Sequence, residues 1–243
     1  MISKKLLQSF IQKYYLGGLN NQAKWRIKDN TLTVYAGEMG KVCKIFLKKF
    51  DFEDAELGIF DTDKLNKLIN ITSGNLLITP NKTKAIYNKL KISDETFDLM
   101  FSLADILVLK KVSYPVENDK TNFEIEIELN EEIINNFIKA KNSISDQSNM
   151  VVSTSYDKNR GMLCDFIFGD VAKYANKVSY KIEGKINTDE LISLPFNSDI
   201  FKEILSSNKD MSEGKIKISS LGLMKINFFS EEIESEYYLI RSE

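Results

Sequence analysis

No histidine occurs in the 243 residues, and there are only two cysteines and three prolines. Without imidazole, every Ser-His and Cys-His catalytic arrangement is excluded, and so are most zinc sites. Cys43 and Cys164 each lie in an apolar run, beside Val42 and Ile45 or Leu163 and Phe166. A disulfide between them stays open, but two buried free thiols suit a reducing compartment better. No run approaches the roughly 18 apolar residues of a membrane span. The start, Met-Ile-Ser-Lys-Lys, leads into an amphipathic segment rather than the apolar core and cleavage site of a signal peptide. The sequence therefore reads as cytoplasmic (host cytoplasm if viral), with no membrane partner. Neither Gly-x-x-x-x-Gly-Lys-Ser/Thr nor Gly-x-Gly-x-x-Gly is present, so no phosphate-cradling loop is signalled.

The acidic pairs do not fill the gap. Glu131-Glu132 reads as a solvated helix start, where acids favour the helix dipole, and Glu231-Glu232 as a polar turn. Asp61 and Asp63 could ligate a metal, yet a cap explains them without one. The residues thus point to no enzyme, no catalytic residue, no metal and no cofactor.

What is present is a duplication. Phe60-Asp61-Thr62-Asp63-Lys64-Leu65-Asn66-Lys67-Leu68-Ile69 returns 136 residues later as Phe196-Asn197-Ser198-Asp199-Ile200-Phe201-Lys202-Glu203-Ile204-Leu205. Each copy closes an apolar run, offers capping oxygens, and continues with apolar residues at helical spacing. Each then leads through Gly74 or Gly214 into a new alternation. Ile2 to Lys13 matches Leu129 to Ala140 position by position at an offset of 127. The second half therefore carries nine more residues between its two helices, an insertion that surface loops tolerate. At 43% hydrophobic and 28% charged residues, the chain is globular and long enough for two ordinary domains.

In order, the sequence predicts a helix over 3–16, strands at 23–28, 31–36 and 42–49, a helix over 62–70, and strands near 75–80, 84–91, 95–102 and 105–112. Asp29-Asn30 is the turn between the first two strands. On the first helix Leu6, Leu7, Phe10, Ile11 and Tyr14 form the apolar face, with Lys5, Gln8, Ser9, Gln12 and Lys13 opposite. The second half repeats the plan: strand 122–128, helix 130–142, strands near 149–156, 161–168, 175–184 and 191–196, helix 197–207, and strands near 214–220, 223–229 and 234–241. Domains are expected over 1–112 and 122–243, with a polar connector at 113–121. The fold class is α+β: two tandem domains, each with two helices packed on antiparallel sheets.

Lysine recurs on the polar faces of the four helices: Lys4, Lys5 and Lys13; Lys64 and Lys67; Lys139 and Lys141; Lys202 with nearby Lys209. A face of point charges without interleaved aromatics suits phosphate contact without base reading. A net charge of −2 argues against coating nucleic acid over the whole surface, but not against one basic face. Glu131-Glu132 and Glu203 run against the pattern.

The tandem plan resembles a DNA sliding clamp. The residues that carry the likeness are Lys4 to Ile11, the Leu57-Gly58-Ile59-Phe60-Asp61-Thr62-Asp63-Lys64-Leu65 unit with its copy, and the closing Glu236-Tyr237-Tyr238-Leu239-Ile240. That last strand is similar to the closing strand of proliferating cell nuclear antigen; the short hairpins are similar to clamps of large tailed phages. The resemblance implies a head-to-tail homotrimeric ring around duplex DNA, without sequence specificity, its helices lining the hole. It implies a hydrophobic pocket for the replicative polymerase and clamp loader, placed by position at Met39, Lys41, Val42, Val108, Leu109, Val112, Tyr238 and Ile240. Subunit contacts are expected at edge strands near 84–91 and 175–184. A two-domain protein-binding scaffold that does not encircle DNA is the alternative, and an enzyme with an unrecognised acidic site the third reading.

Overall fold

Helix starts show the duplication most sharply. The computed structural model describes residues 1–38, 40–83, 86–112, 121–169, 176–188 and 192–242. Among them, four α-helices form: α1 (Lys4–Tyr15), α2 (Thr62–Asn70), α3 (Glu131–Ser143) and α4 (Ser198–Ser207). Helix α3 begins 127 residues after α1, and α4 begins 136 after α2. Each start is capped by a side-chain oxygen. Ser3, Asp61 and Asn130 accept from the N–H of Leu6, Lys64 and Ile133, and Asn197 accepts from Asp199 and Ile200.

The first half contributes strands β1 (Ile2–Ser3), β2 (Ala23–Lys28), β3 (Thr31–Glu38), β4 (Lys41–Leu47), β5 (Ala55–Ile59), β6 (Asn75–Thr83), β7 (Ile86–Ser93) and β8 (Asp98–Ser102). The second contributes β9 (Ile125–Leu129), β10 (Asn149–Asp157), β11 (Gly161–Gly169), β12 (Lys177–Ile182), β13 (Lys185–Ile186), β14 (Ser193–Asn197), β15 (Glu213–Ser219), β16 (Leu223–Phe229) and β17 (Ile233–Ile240). Two compact units result. One comprises Met1–Glu38, Val42–Tyr114 and Glu231–Ser235; the other comprises Met39–Lys41, Pro115–Ser230 and Glu236–Glu243. The expected connector at 113–121 lies, apart from Thr121, outside the described residues.

Strand order repeats as closely as the helices do. The first unit has β1-β6-β7-β8 and β4-β3-β2-β5 as neighbours; the second has β9-β15-β16-β17 and β12-β11-β10-β14. Among the described strands only β13, which pairs with β9, has no counterpart. The start-to-start offset grows from 126 (β2 to β10) through 130 (β3 to β11) to 136 (β4 to β12). The extra residues therefore enter between β10 and β11 and between β11 and β12. The hairpin between β2 and β3 turns on Asp29 and Asn30, both left-handed at φ 51° and 58°, as a two-residue turn of matching twist requires.

Alternation along the strands delivers one face of each to the core. In the first unit Trp25, on β2, meets Phe10 of α1 edge to face at 6.0 Å, and its indole N–H donates to Tyr14 Oη at 3.3 Å. In the second unit Phe137, which occupies on α3 the position of Phe10, meets Phe166, Tyr180 and Phe201 at 4.7, 5.2 and 5.1 Å. Cys43 and Cys164 are buried free thiols, and burial pushes the Cys164 thiol up to about 12.

The expected strand at 105–112 does not form. Asp105 accepts from the backbone N–H of Leu107 through its carboxylate and from that of Val108 through its carbonyl, which bends the chain into a turn. Before the turn, Ala104 bridges to Gly58 of β5; a Cβ at Gly58 would lie 2.4 Å from the Ala104 carbonyl oxygen. Among the described residues, no helix is long and apolar enough to cross a membrane, and no group of three or more acids and cysteines could hold a metal ion.

Candidate nucleic-acid face

Polar side chains fasten the helices of the first unit in antiparallel fashion. At one end Lys4 Nζ donates to the carbonyls of Asn70 and Thr72, at 2.8 and 2.6 Å, satisfying groups that the end of α2 leaves free. At the other end Tyr15 donates to Asp63 at 3.4 Å. Asp63 also pairs with Lys67, and this hydrogen bond holds the Lys67 ammonium above its ordinary value. Facing water are Lys5, Lys64 and Lys67, while Lys4 is half-buried. Lys5 and Lys64 make no side-chain hydrogen bond or ion pair among the described residues.

Lys13 is not on that face. It is fully buried, and its amine donates to Ser9 Oγ at 2.9 Å. Its position flanks Phe10 at the margin of the apolar stripe, where a four-carbon stem packs inward as readily as outward.

In the second unit the corresponding fastening is a lysine. Lys141 is 3% exposed, pairs with Asp199 at 2.9 Å, and donates to the carbonyl of Gln147 at 2.7 Å. It therefore closes the end of α3 onto the start of α4 and offers no charge to solvent, contrary to the expectation from its spacing. Burial works to raise the Asp199 carboxyl, but hydrogen bonds from Lys141 and Ser148 outweigh it and leave the group lowered. Lys139 and Lys209 are exposed and Lys202 is half-buried; Glu131 and Glu132 are exposed on the same helix as Lys139.

A latch that the sequence did not advertise ties each pair to the loop after its first helix. Thr62 N–H donates to the carbonyl of Asn21 at 2.9 Å, and Ser198 N–H to that of Ser148 at 2.8 Å. These are equivalent residues at the two offsets, 127 and 136. Asn21 Oδ1 also accepts from Asp63 N–H at 3.0 Å. The paired bonds join backbone groups, which any residue carries, so side-chain identity in the loops gave no signal for them.

The residues assigned to a peptide pocket divide between the units. In the first, Val108 is 73% exposed, Leu109 is buried against Gly58, and Val42 and Val112 are half-buried. Leu109 and Val112 line a cleft of about 260 Å³ with Asn20, Asn21, Tyr35 and Lys110. In the second, Lys41 is buried, Tyr238 is buried with Lys225 over its ring at 5.1 Å, and Ile240 is exposed. Ile240 lines an open cleft of about 440 Å³ with Pro195, Arg241 and Ser242, residues the sequence did not single out. Met39 lies outside the described residues.

The expected edge at 84–91 is corrected. Residues 84 and 85 lie outside the described residues, and the remainder belongs to β7, which is hydrogen-bonded to β6 on one side and β8 on the other. Among the described strands β8 is one end of its sheet in the first unit, and β12 one end of its sheet in the second, within the range expected there.

No protein-family profile matches the sequence, and no curated protein does. Among solved structures, the chain is similar to the crystal structure of Proliferating Cellular Nuclear Antigen from Entamoeba histolytica. The likeness covers 99% of this chain and 96% of that one, with a TM-score of 0.73 and 13% identity. The chain thus has the fold of that protein, α+β with helices packed on antiparallel sheets.

Proposed function

We propose that the chain is a DNA sliding clamp, a non-catalytic processivity factor that encircles duplex DNA and tethers a replicative polymerase. The observation that carries this reading is the end-to-end likeness to a clamp fold, joined to a helix pair in each unit with lysines facing water. A tether of this kind needs phosphate contact without base readout, and mobile ammonium groups supply it.

In this reading domains 1–112 and 122–243 are joined by residues 113–121, and three copies close head to tail. The open edges of β8 and β12 are suited to that contact, with Asp98 exposed on one and Lys177 and Lys181 on the other. Polymerase and loader peptides would dock at the clefts beside Leu109 and Ile240. The protein would act in the cytoplasm, that of the host if the source is viral.

Sedimentation tests the ring: a particle of three times 27.9 kDa is expected, and a monomer at high concentration overturns it. A protein-binding scaffold without DNA is the second reading, favoured by the exposed Glu131 and Glu132. A clamp is released from a nicked circle when the DNA is linearised; a scaffold shows no such dependence.

A further inference from the structure

Repeat-equivalent positions on the two helix pairs carry opposite charge. Lys4 and Lys5 on α1 correspond, at the offset of 127, to Glu131 and Glu132 on α3. Lys67 on α2 corresponds, at 136, to Glu203 on α4. Lys5 and Lys67 are exposed, Glu132 is exposed and Glu203 is half-buried, so the reversals reach solvent. In the other direction Gln12 becomes Lys139 and Asn66 becomes Lys202, which offsets the change only in part.

Local helix physics explains one member of this contrast and not the other. Acids in the first turn of α3 complement the positive end of the helix dipole. Lysines in the first turn of α1, which has no acid there, oppose it. Lys4 recovers its stabilisation from the end of α2, through the carbonyls of Asn70 and Thr72. Lys5 recovers none: it stands exposed at the wrong end of its helix. An exposed cation set against local preference is available to an anion from outside the chain.

We infer that the first unit's helix pair, through Lys5, Lys64 and Lys67, makes the phosphate contacts, and that Glu131, Glu132 and Glu203 hold the second unit's pair off the DNA backbone. This rests on the sliding-clamp reading and sharpens it. The duplex is gripped by alternate domains only, so each subunit releases few counterions and the salt dependence of binding is shallow.

The full chain binding a fluorescent linear duplex, read by anisotropy from 50 to 200 mM salt, tests the asymmetry, with ends open or blocked by a bulky protein. Lys5→Glu with Lys67→Glu should weaken binding about 10-fold or more at the lower salt and flatten the slope of log K against log salt. Glu132→Lys with Glu203→Lys should tighten binding and steepen that slope by about 0.9 per phosphate gained. Lys139→Glu with Lys209→Glu should weaken it by no more than about 3-fold. Circular dichroism and sedimentation confirm that each variant keeps its fold and assembly. Equal losses from the two lysine pairs, or no gain from the Glu→Lys pair, overturn the asymmetry. Indifference of the wild-type chain to blocked ends overturns the encircling reading instead, and the variants still decide which unit meets phosphate.

Discussion

The two units run one topology on different chemistry. Phe10 and Phe137 hold the same place in the repeat, yet one packs on an indole and a phenol and the other on three rings of a phenylalanine-rich cluster. One helical turn further along, Tyr14 in the first unit is Lys141 in the second. Tyr14 is buried as a neutral phenol, its ionisation pushed up by desolvation and its oxygen accepting from Trp25. Lys141 is buried as a cation, paired with Asp199 and hydrogen-bonded to carbonyls at the end of α3. What stays fixed between the copies is where helices start, which positions cap them and which strand lies beside which. Core identity and surface charge are free to diverge around that frame.

Removing the shared aromatic should have the largest effect. Phe10→Ala and Phe137→Ala should each lower unfolding free energy by about 3–5 kcal/mol in chemical denaturation. A cost under about 1 kcal/mol at either site would break the equivalence of the two cores.

The Tyr14 and Lys141 position comes next. Lys141→Met should cost about 2 kcal/mol, held below the penalty of a fully buried pair because Asp199 remains half exposed. Tyr14→Phe should cost about 1 kcal/mol through the lost acceptor for Trp25. The lysine variant also changes pH dependence. Asp199 sits below its ordinary carboxyl value of 3.8 in the folded chain. Its contribution is therefore complete above that value and is lost as pH falls through the folded pKa. In Lys141→Met this part of the acid-induced loss should shrink to the share held by Ser148 and Lys202, as read from unfolding free energies between pH 5 and pH 2.

Cap removal should give the smallest and most symmetrical effects. Asp61→Ala and Asn197→Ala should each cost about 1 kcal/mol. Unequal costs would show that the second helix is held differently in the two units.

Much of this frame was legible because its causes are local. Caps and apolar spacing act within a few residues, so the starts of all four helices fall within one residue of their expected places, and the Asp29-Asn30 turn is where the sequence puts it. The sheet edge was not legible, because alternation marks a strand without saying which neighbours it will find; β7 is interior and β8 is the edge. The apolar run Ile106 to Leu109 reads as a strand, yet the Asp105 side chain claims a backbone N–H and turns the chain, leaving Leu107 and Val108 in water. Lysine was the least legible residue. Lys5, Lys13 and Lys141 look alike in sequence, but a long stem allows either burial or solvation, and only nearby acceptors such as Ser9 or Asp199 decide.

The paired bonds from Thr62 to Asn21 and from Ser198 to Ser148 have a mechanical consequence. Each bond ties the start of the second helix to the loop after the first, which resists a scissoring of the two helices. Whatever give the lysine-bearing surface has must then come from the tips of side chains, above all the four methylenes of Lys5 and Lys64. Under the clamp proposal, DNA would meet supple side chains on a stiff backing, and the amides of Thr62 and Ser198 should be among the slowest helix-start amides to exchange with solvent.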